Sequence, residues 1–223
     1  GAFVSSMRFS SRWTDSVLMR TICGVHPSFQ NVPILYDGSC ERRKDYSLEG
    51  GDIHPLSQDV LLVGISERTS VPVLDEICEI LFNQTQFTDV LAVILPVNST
   101  AIHLDMVWTQ LDRNLCMAYR PFFFGPTRCS VLHRRKGRKT VLEAANLFDA
   151  LADVGLPMEP VFCGGEMRIA SEREQWASGC NFLALAPGHV LSYTRNSHPQ
   201  ASLLSASYRV LDSRTCLCLL YPS

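Results

Sequence analysis

Leu48-Glu49-Gly50-Gly51-Asp52-Ile53-His54 and, a few residues on, Asp59-Val60-Leu61-Leu62-Val63-Gly64-Ile65 are the stretch from which the chain is best read. Two carboxylates flank a glycine pair just upstream of the most strand-like run in the sequence. Glycines let a backbone take positive φ or approach another group closely. Such a turn can aim acidic side chains into a cleft, where a carboxylate serves as a general base or binds a cation. An ordinary solvated turn between strands has the same composition, so the surroundings must decide.

Downstream, Ser70 and Pro72 predict a helix start, with a capping side chain and a proline in the first turn. Val73, Leu74, Ile77, Ile80 and Leu81 then recur at helical spacing, giving one apolar stripe to about Asn83. A second strand, Asp89 to Leu95, is apolar almost throughout and is expected to be buried on both faces. Residues 101–111 read as extended, Val141 to Val154 as a helix ending at Gly155, and 181–186 and 189–193 as strands separated by Pro187-Gly188. Upstream, residues 1–30 are mixed and 31–47 loop-like. The order is that of an α/β fold, and without a repeat or linker it reads as one domain.

Composition bounds the function. Charged residues make up 19% of the 223 and the net charge is −2, which gives no global pull toward nucleic acid or anionic membrane. The one basic cluster, His133 to Lys139, lacks interleaved aromatics and reads as a solvated loop. No run of eighteen apolar residues announces a membrane span. The nine cysteines are scattered with no C-x-x-C pair, so they read as reduced thiols of a cytoplasmic protein, most of them small buried hydrophobes, with no structural zinc or other metal. Gly1-Ala2-Phe3-Val4 has neither an initiator methionine nor a signal-peptide pattern and is expected to lie inside a longer chain.

Three further features carry chemistry. In a strand, His103-Leu104-Asp105 would put the imidazole and the carboxylate on one face, an arrangement suited to proton transfer near neutral pH. Cys216 and Cys218 lie in an apolar tail beside Arg214; either supplies a thiolate nucleophile, or both are inert buried thiols. Arg12 and Arg68 present guanidinium forks that fit a carboxylate.

Taken in order, Met7 to Arg12, His26 to Phe29, Tyr46 to Asp52, Asp59 to Thr69, His103 to Thr109, Arg173 to Trp176, Ala186 to Gly188 and Tyr193 to Asn196 resemble arginine deiminase over almost the whole chain. The resemblance implies an α/β, pentein-like propeller of pseudo-fivefold ββαβ units, here an incomplete propeller: a single catalytic domain over 1–223 that lacks the family's N-terminal portion. It implies cytoplasmic hydrolysis of L-arginine to L-citrulline and ammonia through a covalent cysteine thiouronium, with neither metal nor organic cofactor, and it leaves room for a homo-oligomer. Catalysis would fall to Cys216, His103, Glu49 and Asp105, and substrate binding to Arg12, Arg68 and Asp52. Asp52 also reads as a structural carboxylate behind the site.

The chain departs from the family at two places. Asp212 to Cys218 contains no glycine, where the family has a glycine-rich loop before its nucleophile, and Thr194 stands where an aspartate is expected. The alternative is therefore a non-catalytic relative that keeps the fold and guanidinium binding.

Overall fold

A computed structural model describes residues 1–211 except Asn98, Glu166 and Ser207. Its strands are β1 (Ala2–Val4), β2 (Ile34–Asp37), β3 (Ile53–Pro55), β4 (Val60–Ile65), β5 (Asp89–Ile94), β6 (Trp108–Gln110), β7 (Leu115–Ala118), β8 (Val131–Arg135), β9 (Leu142–Ala144), β10 (Glu159–Phe162), β11 (Leu183–Ala186) and β12 (His189–Leu191). The helices are α1 (Trp13–Val25), α2 (Val71–Gln84), α3 (Arg120–Phe123), α4 (Leu147–Asp153), α5 (Arg168–Trp176) and α6 (Ser197–Ser205).

The central sheet runs β3-β4-β5-β8-β9. β3 lies antiparallel to β4, α2 crosses over, and β5 returns parallel to β4, giving one complete ββαβ unit. A second unit is interrupted: β6 and β7 are antiparallel, the β8–β9 hairpin leaves to join the central sheet, and β10 comes back parallel to β7 after α4. β1, α1 and β2 form a separate parallel pair, and β11 and β12 a separate hairpin. Among the described residues none of these sheets closes on itself.

β4 explains where the core sits. All six of its residues are buried. Leu61, Val63 and Ile65 pack with Val73, Leu74, Ile77 and Leu81 of α2, while Val60 and Leu62 join a second cluster with Leu104, Trp108 and Met117. Period-two alternation thus feeds two cores, which is why the run is apolar without interruption.

Several expectations are corrected. Ser70 precedes α2, but its hydroxyl accepts from the Ser47 N–H at 3.1 Å and caps nothing. Residues 142–144 pair with β8, so the helix expected from Val141 begins only at Leu147, where the Asn146 side chain accepts from the Asp149 N–H. The basic cluster is half strand: Arg135 and His133 of β8 bind Asp89 at 2.7 and 2.6 Å, and Arg134 pairs with Asp75. Within 101–111, a 3₁₀ turn at Leu104–Met106 replaces continuous strand. The mixed segment 1–30 contains α1, and the loop-like segment 31–47 contains β2. Five of the seven described cysteines, at 78, 116, 129, 163 and 180, are buried.

Candidate active site

Glu49 is the last extended residue before a 3₁₀ turn, Gly50–Asp52. Its neighbour Leu48 exchanges both backbone hydrogen bonds with Ser6, at 3.0 and 2.8 Å, which fastens the end of the β1 segment beside it. The Glu49 N–H donates to the Thr69 hydroxyl at 3.1 Å. The carboxylate, 1% exposed, is then surrounded by donors. Oε1 accepts from the Arg8 backbone N–H at 3.1 Å. Oε2 accepts from Arg12 Nη1 at 3.1 Å and His103 Nε2 at 3.0 Å, and Arg68 Nη1 stands 3.6 Å away.

The electrostatics follow from these contacts. Burial works to raise the Glu49 carboxyl, but the His103 and Arg8 bonds and the charges of His103 and Arg68 outweigh it, holding Glu49 below the ordinary carboxylate value. Burial likewise works to discharge His103, yet the Glu49 bond and the charges of Asp52, Asp105 and Glu49 raise it. An ionised Glu49 beside a protonated His103 is the favoured state over the window between those two values.

Asp52 is fully buried and plays a different part. Oδ1 accepts from the Leu104 N–H at 2.8 Å and Oδ2 from the Ser66 hydroxyl at 2.6 Å. Burial pushes it up to about 6, with the Ser66 and Thr69 hydroxyls opposing. Its carboxylate lies over Gly64 of β4: a Cβ there would strike Asp52 Oδ1 and come 2.8 Å from Leu104 Cβ. Asp52 thereby ties the start of the Leu104–Met106 turn to the central sheet.

That turn carries His103 and Asp105 to the same place. A Cβ at Gly51 would lie 2.8 Å from Asp105 Oδ2 and 2.9 Å from His103 Cγ. The first of the two expected uses of the glycine pair does not apply, since neither residue has positive φ; the second, close approach, applies to Gly51. Asp105 is raised by burial, against the charge of His103 and a hydrogen bond with Asn181, and its Oδ1 is buried without a partner among the described residues. Arg68 Nε likewise has no partner among the described residues, while the guanidinium lies 4.5 Å from the Phe9 ring centroid.

The structure therefore brings together Glu49, His103, Asp105, Arg12 and Arg68, with Asp52 behind them. Cys216 and Cys218 lie outside the described residues. Among the buried thiols, burial pushes Cys78 and Cys129 up to about 11 and Cys116 up to about 12. Residue-level reading missed Arg8, whose contribution is a backbone N–H, and Phe9, Ser66, Thr69 and Asn181. Ser66 and Thr69 had a legible signal: they flank Arg68 directly after the key strand.

A cleft of about 610 Å³, lined by Phe3, Leu35, Leu48, Gly50, Ile53 and Phe87 among others, lies on the opposite side of this segment. Leu48 and Gly50 line it while Glu49, extended between them, points away. Among the described residues no cluster of His, Cys, Asp and Glu is arranged to hold a metal ion, and no helix is long and apolar enough to cross a membrane.

This fold recurs in other solved structures. A DDAH mutant from Pseudomonas aeruginosa, complexed with citrulline, superposes with a TM-score of 0.57 at 14% identity, covering 94% of this chain and 62% of that one. Inosamine-phosphate amidinotransferase from Streptomyces griseus gives 0.53 at 14% identity, covering 96% and 60%. The fold is thus α/β and pentein-like. The arginine deiminase family model matches residues 1–213, and the chain belongs to that family. Arginine deiminase of Borrelia garinii subsp. bavariensis is 34% identical over 201 residues, which is 88% of this chain and 48% of that protein. Arginine deiminase of Listeria monocytogenes serotype 4a is 32% identical over 222 residues, 94% of this chain and 52% of the other. The chain spans about half the length of these curated relatives.

Proposed function

We propose that the protein hydrolyses the guanidinium group of free L-arginine, yielding L-citrulline and ammonia. The observation that carries this reading is the convergence of Arg12, Arg68 and His103 on Glu49 Oε2, with Asp105 beside them. A planar cation needs carboxylates around it, and Glu49 and Asp105 supply them. Asp105 Oδ1, buried without a partner among the described residues, is suited to accept from a guanidinium N–H, and Arg68 Nε to donate to a substrate α-carboxylate. Two arginines at the rim favour a free amino acid over a decarboxylated amine such as agmatine.

In this reading the Cys216 thiolate adds to the guanidinium carbon, and Cys218 is the alternative nucleophile. His103 gives its proton to the departing nitrogen, which leaves as ammonia, and the covalent thiouronium remains. Neutral His103 then takes a proton from water as it attacks the same carbon. As the carbon–sulfur bond breaks, the remaining hydroxyl proton passes to Glu49 and on to solvent, the carbonyl forms, the thiolate is restored and citrulline leaves. Glu49, kept ionised, holds the cation and exchanges protons with His103.

Citrulline formation from arginine by the native chain, Cys216→Ala, Cys218→Ala and His103→Ala is the decisive assay. Folded native protein without turnover would sink the proposal, and loss with Cys218→Ala alone would move the nucleophile. The glycine-free run from Asp212 to Cys218 favours a second reading, a guanidinium-binding relative without turnover. Arginine binding by calorimetry in the absence of citrulline formation would select it.

A further inference from the structure

The catalytic reading leaves one titratable side chain next to the site unused. His54, on β3 opposite Leu62, places Nε2 3.1 Å from the Gly51 carbonyl oxygen. A carbonyl only accepts, so Nε2 carries the proton and the ring is held as the Nε2–H tautomer. The other contact of the ring is edge-on to Trp108, with centroids 5.5 Å apart and planes at 82°. Trp108 is itself fully buried in the core that carries Leu104. His54 thus has a rigid wall on one side and the glycine turn on the other.

Gly51 is the residue against which His103 and Asp105 pack, with no room for even a methyl group between them. A change in the position of Gly51 is therefore passed directly to both side chains. On the Asp52 side this peptide is anchored by the carboxylate, which accepts from the Ser66 hydroxyl and the Leu104 N–H. The Asp52 N–H bonds back to the Glu49 carbonyl at 3.1 Å, and the Ile53 N–H to Gly50, whereas the Gly51 carbonyl is held by His54.

We propose that His54 is a positioning residue of the site: its bond to the Gly51 carbonyl fixes the turn that seats His103 against Glu49 and Asp105. The inference rests on the reading of those three as the working groups and adds the residue that sets their registration. Enclosure lowers His54 to about 4, with the charge of His103 adding to the effect, so it stays neutral and keeps the same donor throughout the range in which His103 titrates.

The test uses the native chain, His54→Phe and His54→Gln. Phenylalanine keeps a ring against Trp108 and removes the donor; glutamine restores an N–H that can reach the carbonyl. NMR titration of the His103 imidazole should show its midpoint falling toward the ordinary histidine value in His54→Phe and returning in His54→Gln. The citrulline assay should show kcat/KM reduced on the order of tenfold in the first and recovered in the second, as expected when a supporting contact lets reacting groups drift.

An unchanged His103 midpoint in folded His54→Phe overturns the proposal, as does a His54→Gln midpoint displaced as far as that of His54→Phe. Should the phenylalanine variant not fold, the native protein still decides: nitrogen shifts must report an Nε2–H tautomer at His54, and an Nδ1–H tautomer rejects the bond. None of the NMR readouts requires turnover. A native chain that makes no citrulline therefore defeats the deiminase reading while the His54 inference is judged separately.

Discussion

β4 and β11 are both apolar runs, Val-Leu-Leu-Val-Gly-Ile and Leu-Ala-Leu-Ala, and the structure treats them oppositely. Every residue of β4 is buried and every residue of β11 is exposed. β4 has strands on both edges and apolar clusters on both faces, whereas among the described residues β11 pairs only with β12. Leu183 and Leu185 are 61% and 63% exposed, against 0% for Leu62. Burial is thus a property of what an element packs on, and two runs of similar hydropathy do not reveal it. The candidate site lies beside the strand with neighbours on every side, and Asp52, packed over Gly64, links the two.

That contrast can be broken by measurement. The largest effect is expected from Leu62→Ala, which should lower stability by about 2–5 kcal/mol through lost transfer energy and a cavity. Leu185→Ala should stay within about 0.5 kcal/mol, being on the surface. Urea midpoints of the two variants check the pair, and equal losses would show that the hairpin is covered in solution.

Next, Gly64→Ala should cost about 1–3 kcal/mol, because the new methyl group meets Asp52 and Leu104 in a filled interior. Asp52→Ala should cost about 1–3 kcal/mol by leaving the Leu104 N–H unpaired in the core. Thermal melts of both would report it, and two unchanged melting temperatures would mean that the site is not tied to β4 as described.

A smaller effect separates the two regions by pH. His103 holds its proton more tightly folded than unfolded, so its stabilisation is complete below an ordinary histidine value of about 6.5 and is lost as pH rises through its higher folded value. The advantage of the native chain over His103→Ala should therefore shrink from pH 6 upward, whereas native and Leu185→Ala curves should run parallel. Urea titrations across that range check the sign. Hydrogen exchange reads the same contrast without mutation, with β11 amides exchanging ahead of those of β4.

Much of the central frame was legible. β4, β5 and α2 follow from long, strongly patterned runs, and the Gly188 turn separates β11 from β12 as expected. What escaped were short strands such as β1, β2 and β3, whose three or four residues carry little pattern. α1 also escaped, since only Ser16 of its thirteen residues is buried and no stripe stands out. At the candidate site, the carboxylates, His103 and both arginines that the structure brings together are the ones singled out by residue type and family likeness. The backbone donors of Arg8 and Leu104 were not, because every residue owns an N–H and only the fold selects which one is used.

The bond from the Leu104 N–H to Asp52 joins residues 52 apart in sequence, and the one from His103 to Glu49 joins residues 54 apart. Closing a loop of that length costs chain entropy before the contact returns any energy. No local segment can preassemble this site. In a refolding experiment, β-sheet signal from β4 and β5, whose partners lie 29 residues apart, should therefore appear before His103 reaches its native environment.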